Sequence, residues 1–296
     1  MKSSPFRCTA LVLALSAAAL VAGCGNDTYT PPDYNTLPTG ITNVVGPTSY
    51  DGVTDDLLTA GLGKTGIGGA APGFADPLNP TSVELRRRAI YVNYRGILDP
   101  TVAGGYGTLY GPNVDVNGND TLGEGKIAGK EILAYADDGT GKKNVGIMIQ
   151  IPASFDKNNA CIVTGPSSGS RGIYGAIGTA GDWGLKHGCA VAYTDAGKGT
   201  GYQDLAADKV NLIDGKLVTR ASAGTLASFA SDLTGTALAT FNAAFPNRIA
   251  YKHIYSQQNP EKDWGTDTLV AARYALYVLN DRYGTPENPV RFDAGN

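Results

Sequence analysis

Gly165-Pro166-Ser167-Ser168-Gly169 matches G-x-S-x-G, the spacing that exposes a serine hydroxyl on a sharp strand-to-helix turn in hydrolases. Ser167 is therefore the first candidate nucleophile. A serine nucleophile needs a base within hydrogen-bonding reach, and the chain holds only His187 and His253. His187 falls between the end of a helix and the next strand, at the opposite rim of any parallel sheet, roughly 15 Å from Ser167 for a short strand. His253 lies in a long excursion where a surface or core role is at least as natural. Ser167 is thus a weak nucleophile candidate. The second reading makes Ser167, Ser168, Gly169 and Ser170 an oxyanion loop, whose backbone N–H groups face a tetrahedral intermediate, with the true elbow on a later strand.

Other constellations reduce to local structure. Gly61-Leu62-Gly63-Lys64-Thr65-Gly66 has the letters of a dinucleotide fingerprint but no strand before it. Asp115-Val116-Asn117-Gly118-Asn119-Asp120 begins like a calcium loop, yet its glycine is misplaced and no Glu closes it, so a turn is expected. Asp137 and Asp138 are adjacent in a turn, a solvated arrangement rather than an acid and base pair. No His, Cys or Asp at ligand spacing accompanies the cysteines, so no metal site and no cofactor is expected.

The elements that must position the serines follow from the pattern. Cys161-Ile162-Val163-Thr164 and Cys189 to Thr194 read as strands, with a helix from Ile173 to Lys186 between them. That is a βαβ unit with parallel strands and a right-handed crossover, and its strand-end loops form the functional rim. Parallel neighbours start Cys161 and Cys189 side by side, and a disulfide between them is expected in an oxidising compartment. Upstream, Thr81-Ser82-Val83-Glu84 is a capping box opening an amphipathic helix to Leu98. Glu131 to Ala136 and Asn144 to Ile151 form a hairpin across an Asp-Asp-Gly-Thr-Gly turn. Asp195 to Pro260 resembles an insertion. Asp263 to Tyr283 repeats apolar residues at helical spacing, and Val290-Arg291-Phe292 begins a further strand. The fold class is α/β: an incomplete α/β-hydrolase-like sheet with a βαβ unit and a long insertion, cut before the nucleophile elbow.

The N-terminus carries an export signal. Lys2 and Arg7 precede an apolar run, Thr9 to Val21, too short to span a bilayer, and Val21-Ala22-Gly23-Cys24 has the lipobox form. Residues 1–23 are read as a lipoprotein-type signal peptide, Cys24 as the lipid attachment site and membrane anchor, 24–50 as a Pro/Asn/Thr-rich tether and 51–296 as the N-terminal part of an α/β-hydrolase domain. The expected location is outside the cytoplasm, as an outer-membrane lipoprotein, periplasmic or extracellular. Of 24 basic and 27 acidic residues, removal of residues 1–23 deletes two bases and no acid. The resulting acidic balance and the lack of a basic stripe exclude nucleic acid as a partner.

Several strings resemble the bacterial D-(-)-3-hydroxybutyrate oligomer hydrolases. They are Ser167-Ser168-Gly169-Ser170-Arg171-Gly172-Ile173-Tyr174-Gly175-Ala176, Trp183-Gly184-Leu185-Lys186, Gly188 to Asp195, Gly111-Pro112-Asn113-Val114-Asp115-Val116-Asn117-Gly118 and Asn259-Pro260-Glu261-Lys262-Asp263-Trp264-Gly265. The resemblance implies an exported serine esterase that cleaves dimers and short oligomers released from polyhydroxybutyrate. It also implies a catalytic serine in a Ser-Asn-Gly-Gly-Gly-like stretch downstream of Val290 to Phe292, with the acid and histidine further on. No catalytic residue is carried over, and the nucleophile is expected beyond Asn296. The chain is expected to be an N-terminal fragment without esterase activity of its own. The competing expectation is an exported lipoprotein that binds oligoesters without cleaving them.

Overall fold

In the computed structural model, the described residues are 35–169, 171–199, 201–253, 259, 262–289 and 291–293. Residues 1–34 fall outside them, and with them the expected signal peptide, Cys24 and the first part of the tether.

The chain forms β1 (Ile41–Tyr50), α1 (Gly63–Gly68), α2 (Ser82–Arg95), β2 (Gly129–Ala136), β3 (Val145–Pro152) and β4 (Ile162–Pro166). It continues through α3 (Asp182–Lys186), β5 (Ala190–Thr194), β6 (Tyr202–Asp204), β7 (Lys209–Asn211), β8 (Leu217–Thr219), α4 (Arg220–Ala223), α5 (Gly235–Ala244), β9 (Ile249–Tyr251) and α6 (Trp264–Tyr283). The main sheet has the order β1-β2-β3-β5-β4, with β4 and β5 parallel and the other neighbours antiparallel. The second sheet, β8-β7-β6-β9, is antiparallel and lies wholly within the expected insertion.

Strand alternation divides the core. Ile132, Ala134, Ile147, Ile149, Ala190 and Ala192 face α6, where Ala271, Tyr274, Ala275 and Leu279 are buried against them. Leu133, Met148, Val191 and Tyr193 point the other way, toward Ile90 and Tyr94 of α2 and toward Ile177 and Leu185. The strands are buried on both faces, so they read as near-continuous apolar runs. A polar network crosses the second face. Arg86 on α2 donates to Glu131 from Nε (2.9 Å) and Nη2 (3.0 Å). Gln150 Nε2 and the Tyr174 hydroxyl also donate to that carboxylate, at 2.8 and 3.2 Å, and the Tyr193 hydroxyl donates to Gln150 at 2.7 Å. Four elements and the chain after β4 are thereby tied to one buried charge.

Most elements lie where the pattern puts them: the capping box is formed by Thr81 and Glu84, and β2 and β3 pair across their whole length. Four expectations need correction. First, the tether does not extend to Tyr50, because Ile41–Tyr50 is an edge strand paired with β2. Its side chains are mostly exposed, and register shifts accompany a Gly46-Pro47 step, so backbone pairing rather than apolar alternation defines it. Second, the first long helix stops at Arg95, short of Leu98. Third, Ile173 to Lys186 is not one α-helix: residues 173–176 turn, Ile177–Gly181 is a π-helical turn and only Asp182–Lys186 is α. Gly175, Gly178, Gly181 and Gly184 recur there, and a Cβ would meet Tyr94 at Gly178 (3.3 Å) and Val191 at Gly184 (2.8 Å). Close packing demands those glycines, and they lower the helix propensity. Fourth, Arg291 and Phe292 are not in a strand; their amides donate to Asn280 Oδ1 at 3.0 and 2.9 Å, and Phe292 packs on Phe155 and Tyr283.

Candidate functional site

The carboxyl ends of β4 and β5 meet at one rim. Parallel pairing runs from Ile162 opposite Ala190 to Pro166 opposite Thr194, and the Ser167 amide continues it by donating to the Thr194 carbonyl at 2.8 Å. At the other end Cys161 and Cys189 are disulfide-bonded, with Cα atoms 4.8 Å apart, and the Ala190 amide donates to the Cys161 carbonyl at 3.0 Å. The two strands are clamped at their amino ends and deliver their loops to the rim side by side.

Ser167 is completely buried and its hydroxyl donates to the Gly169 carbonyl at 2.8 Å. It is not among the non-glycine residues with positive φ, so the strained turn of an elbow is not formed at this serine. Gly175 packs against its Oγ, leaving no room there for a Cβ. Neither imidazole reaches it. His187 stacks on Trp183 at 3.9 Å, with Nδ1 2.7 Å from the Trp183 carbonyl oxygen, beyond α3 at the amino end of β5. His253 follows Lys252 and meets the Tyr251 ring edge to face at 6.0 Å. The G-x-S-x-G letters therefore mark a buried turn, with no hydrogen bond between the Ser167 hydroxyl and either imidazole among the described residues.

The same turn is tightly wound. The Arg171 amide donates to the Gly169 carbonyl at 2.9 Å, and Gly172 at φ +67° reverses the chain, a conformation that favours glycine. With the amides of Ser167 and Arg171 committed, those of Ser168 and Gly169 have no backbone acceptor among the described residues. Ser168 is exposed, and Ser170 lies outside the described residues.

Charged groups surround this rim. Asp195, directly after β5, accepts from the amides of Gly146 (2.9 Å) and Gly197 (2.8 Å). Burial raises its pKa, against the attraction of Lys252. Lys252 is itself buried, donating to the carbonyls of Lys143 (2.5 Å) and Asn144 (3.2 Å), and burial lowers its pKa. Lys143 sits 3.2 Å from Asp267 and 3.5 Å from Asp263 at the start of α6. A polar cavity of about 200 Å³ lies among these lysines and aspartates. No residue spacing in the sequence marks Lys252 or Asp267, since single ionisable residues in an insertion and on a helix carry no spacing signal. Asp115 remains a local turn, its Oδ1 accepting from the amides of Asn117 and Asn119 (both 2.9 Å), whereas Asp137 is buried rather than solvated and receives four amides of its own turn.

A larger cavity, about 430 Å³, opens on the face of β1 and β2 beside α2 and the chain segment Arg171 to Tyr174. That volume is within the range of small-molecule pockets, about 300–1,000 Å³.

Comparison with known proteins gives the family. The sequence profile described as 3HB-oligomer hydrolase matches residues 18–295. The chain belongs to the 3HB-oligomer hydrolase family. It is 58% identical over 277 residues to a D-(-)-3-hydroxybutyrate oligomer hydrolase of Polaromonas naphthalenivorans, covering 93% of this chain and 39% of the relative. It is 55% identical over 287 residues to the protein of that name from Paraburkholderia xenovorans, covering 96% and 41%. The Burkholderia mallei relative is 56% identical over 279 residues, covering 94% and 40%. The chain thus spans about two fifths of the length of these relatives. No solved structure matches it.

Proposed function

We propose that this chain forms the substrate-side scaffold and oxyanion loop of an exported serine hydrolase that cleaves ester bonds of 3-hydroxybutyrate dimers and oligomers. The observation that carries the reading is the turn after β4. It stands at the carboxyl rim of a parallel strand pair and leaves the Ser168 and Gly169 amides without a backbone acceptor among the described residues, while its serine hydroxyl is buried and bonded within the turn. Such a turn suits stabilising charge on an oxyanion, where one donor is worth roughly 3–4 kcal/mol, and does not suit attacking a carbonyl. In this reading a serine outside these residues attacks the ester carbonyl, a base takes its proton, and the alcohol end of the oligomer leaves as the acyl-enzyme forms. Water then releases the acid.

The disulfide between Cys161 and Cys189 supports an oxidising compartment. Export by the signal at residues 1–23 and anchoring through a lipidated Cys24 complete the proposal.

The test is a chimera in which this chain replaces the matching 277-residue segment of the Polaromonas relative. Hydrolysis of linear 3-hydroxybutyrate dimer by the chimera, and none by the chain alone, is the expected outcome. Turnover by the chain alone, or a folded chimera without turnover, contradicts the proposal.

A further inference from the structure

The 430 Å³ cavity is walled by Val45, Leu85, Ala89, Leu133, Ile173 and Ile213, and the hydroxyl-bearing rings of Tyr50 and Tyr202 also line it. Its charged groups differ sharply in how they are satisfied. Arg86 spends four of its five donors: beyond its two bonds to Glu131, it donates to Asp55 at 3.1 Å and to the Asp56 carbonyl at 3.0 Å. Asp214 accepts from the Ser82 hydroxyl (2.7 Å) and from the Lys216 amide (3.1 Å). Arg171 has a single bond, from Nη2 to the neutral Gly96 carbonyl at 3.1 Å, and no carboxylate within ion-pair distance among the described residues. A guanidinium carries five donors in a planar fork suited to a carboxylate, so most of the capacity of Arg171 is unspent.

Its position is set by the fold. The guanidinium lies against the α carbon of Gly96 so closely that a Cβ there would overlap Nη1. Gly96 has an ordinary helical φ of −70°, so the glycine is needed for that approach and not for the backbone turn. One residue separates Arg171 from Gly169, the end of the proposed oxyanion loop. An apolar-walled cavity that counts Arg171 among its lining residues, with no carboxylate partner for that cation among the described residues, lies next to that loop and fits a monoanion with an apolar body carrying weak hydrogen-bond acceptors. A short linear oligoester of a 3-hydroxy acid has this form: methyl and methylene groups, ester carbonyls and one terminal carboxylate.

We infer that the cavity is the acid-end subsite for such oligoesters, with Arg171 receiving the terminal carboxylate and thereby selecting free acids over esterified chains. The assignment rests on the proposed hydrolase reading and adds to it the end of the substrate that is held. An apolar monocarboxylate without ester groups shares part of this chemistry, so it forms one arm of the test.

Isothermal titration of the purified chain with linear (R)-3-hydroxybutyrate trimer, its methyl ester and octanoate decides the matter. The acid trimer is expected to bind about tenfold or more tightly than the methyl ester, the effect of one charge-assisted pair. Arg171→Gln should erase that preference, and Arg171→Lys should restore part of it. Gly96→Ala, whose methyl would displace the guanidinium and also meet the Val92 carbonyl at 3.0 Å, should weaken acid binding while leaving ester binding unchanged. Equal binding of acid and ester, indifference to Arg171→Gln, no binding of trimer by the folded chain, or tighter binding of octanoate than of trimer would each overturn the inference. None of these results touches the hydrolase reading, which stands or falls on turnover by the chimera.

Discussion

Removing the buried carboxylate of Glu131 tests the physical account of how the second face of the sheet is held. Glu131 receives two bonds from Arg86, one from Gln150 and one from Tyr174, all between 2.8 and 3.2 Å, and a longer one from the Tyr50 hydroxyl at 3.5 Å. Glu131→Leu removes the acceptors and leaves Arg86 buried. Breaking one partner of a buried pair typically costs about 3–5 kcal/mol. Arg86 keeps Asp55 and the Asp56 carbonyl, which pulls its share toward the lower end, whereas Gln150 and Tyr174 each lose a bond worth about 1 kcal/mol. A loss of about 4 kcal/mol is therefore expected, a large part of the ~5–15 kcal/mol typical of a domain. The double variant Arg86→Met, Glu131→Leu removes the stranded charge with its partner. It should be more stable than the sum of the two singles by about 2 kcal/mol. Urea unfolding followed by circular dichroism, with wild type, both singles and the double, measures every term. A single-variant cost below about 1 kcal/mol, or strict additivity, would refute the view that this network is a coupled unit.

Three further outcomes follow from other parts of the fold. Reducing the Cys161–Cys189 bond, which spans a sequence separation of 28, should cost about 3.5 kcal/mol by loop-closure entropy, read as a lowered urea midpoint; an unchanged midpoint contradicts it. Gly175→Ala should destabilise by about 1–3 kcal/mol, because the new methyl meets Ser167 Oγ and Arg171 Cβ (3.1 Å), and a neutral or stabilising effect in the same titration would contradict the packing described. Burial pushes the Tyr274 hydroxyl up from 10.0 to about 12. The unfolded chain therefore loses that proton at lower pH than the folded one, so stability falls as pH rises from about 10 to 12. Tyr274→Phe should flatten that fall, as thermal melts across the interval would show; an identical pH slope in the variant would contradict it.

Much of the fold is legible in the sequence where one force dominates. The capping box at Thr81 and Glu84 is a local hydrogen-bond exchange, and the strands opened by Cys161 and Cys189 are short apolar runs around a glycine-rich turn. Each is readable without knowledge of what packs on it. The elements that escape are those defined by a partner. Ile41–Tyr50 exposes most of its side chains and is a strand only because β2 offers a ladder. Ile177–Gly181 winds as a π-turn because its glycines accept Tyr94 and Tyr193 at close range. The expected strand at Val290 to Phe292 is preempted, for its described residues, by Asn280, whose side chain captures both amides.

The site was legible to the same degree. The sequence brings Ser167 to the right rim and puts His187 at the wrong one, and that is where each lies. It does not show that the Ser167 amide continues the β4–β5 ladder or that its hydroxyl is sealed under Gly175, since both depend on the register of strands distant in sequence. Arg171 is likewise one basic residue among many until Gly96, 75 positions away, is seen beneath it.

In the proposed hydrolase these residues supply oxyanion donors and substrate walls but no activated serine. Incubating the purified chain with an alkyl fluorophosphonate, followed by peptide mass mapping, tests this most directly. Every serine, Ser167 included, should remain unmodified under conditions that fully label a serine esterase run as a positive control. Stoichiometric phosphonylation of Ser167 would contradict the account.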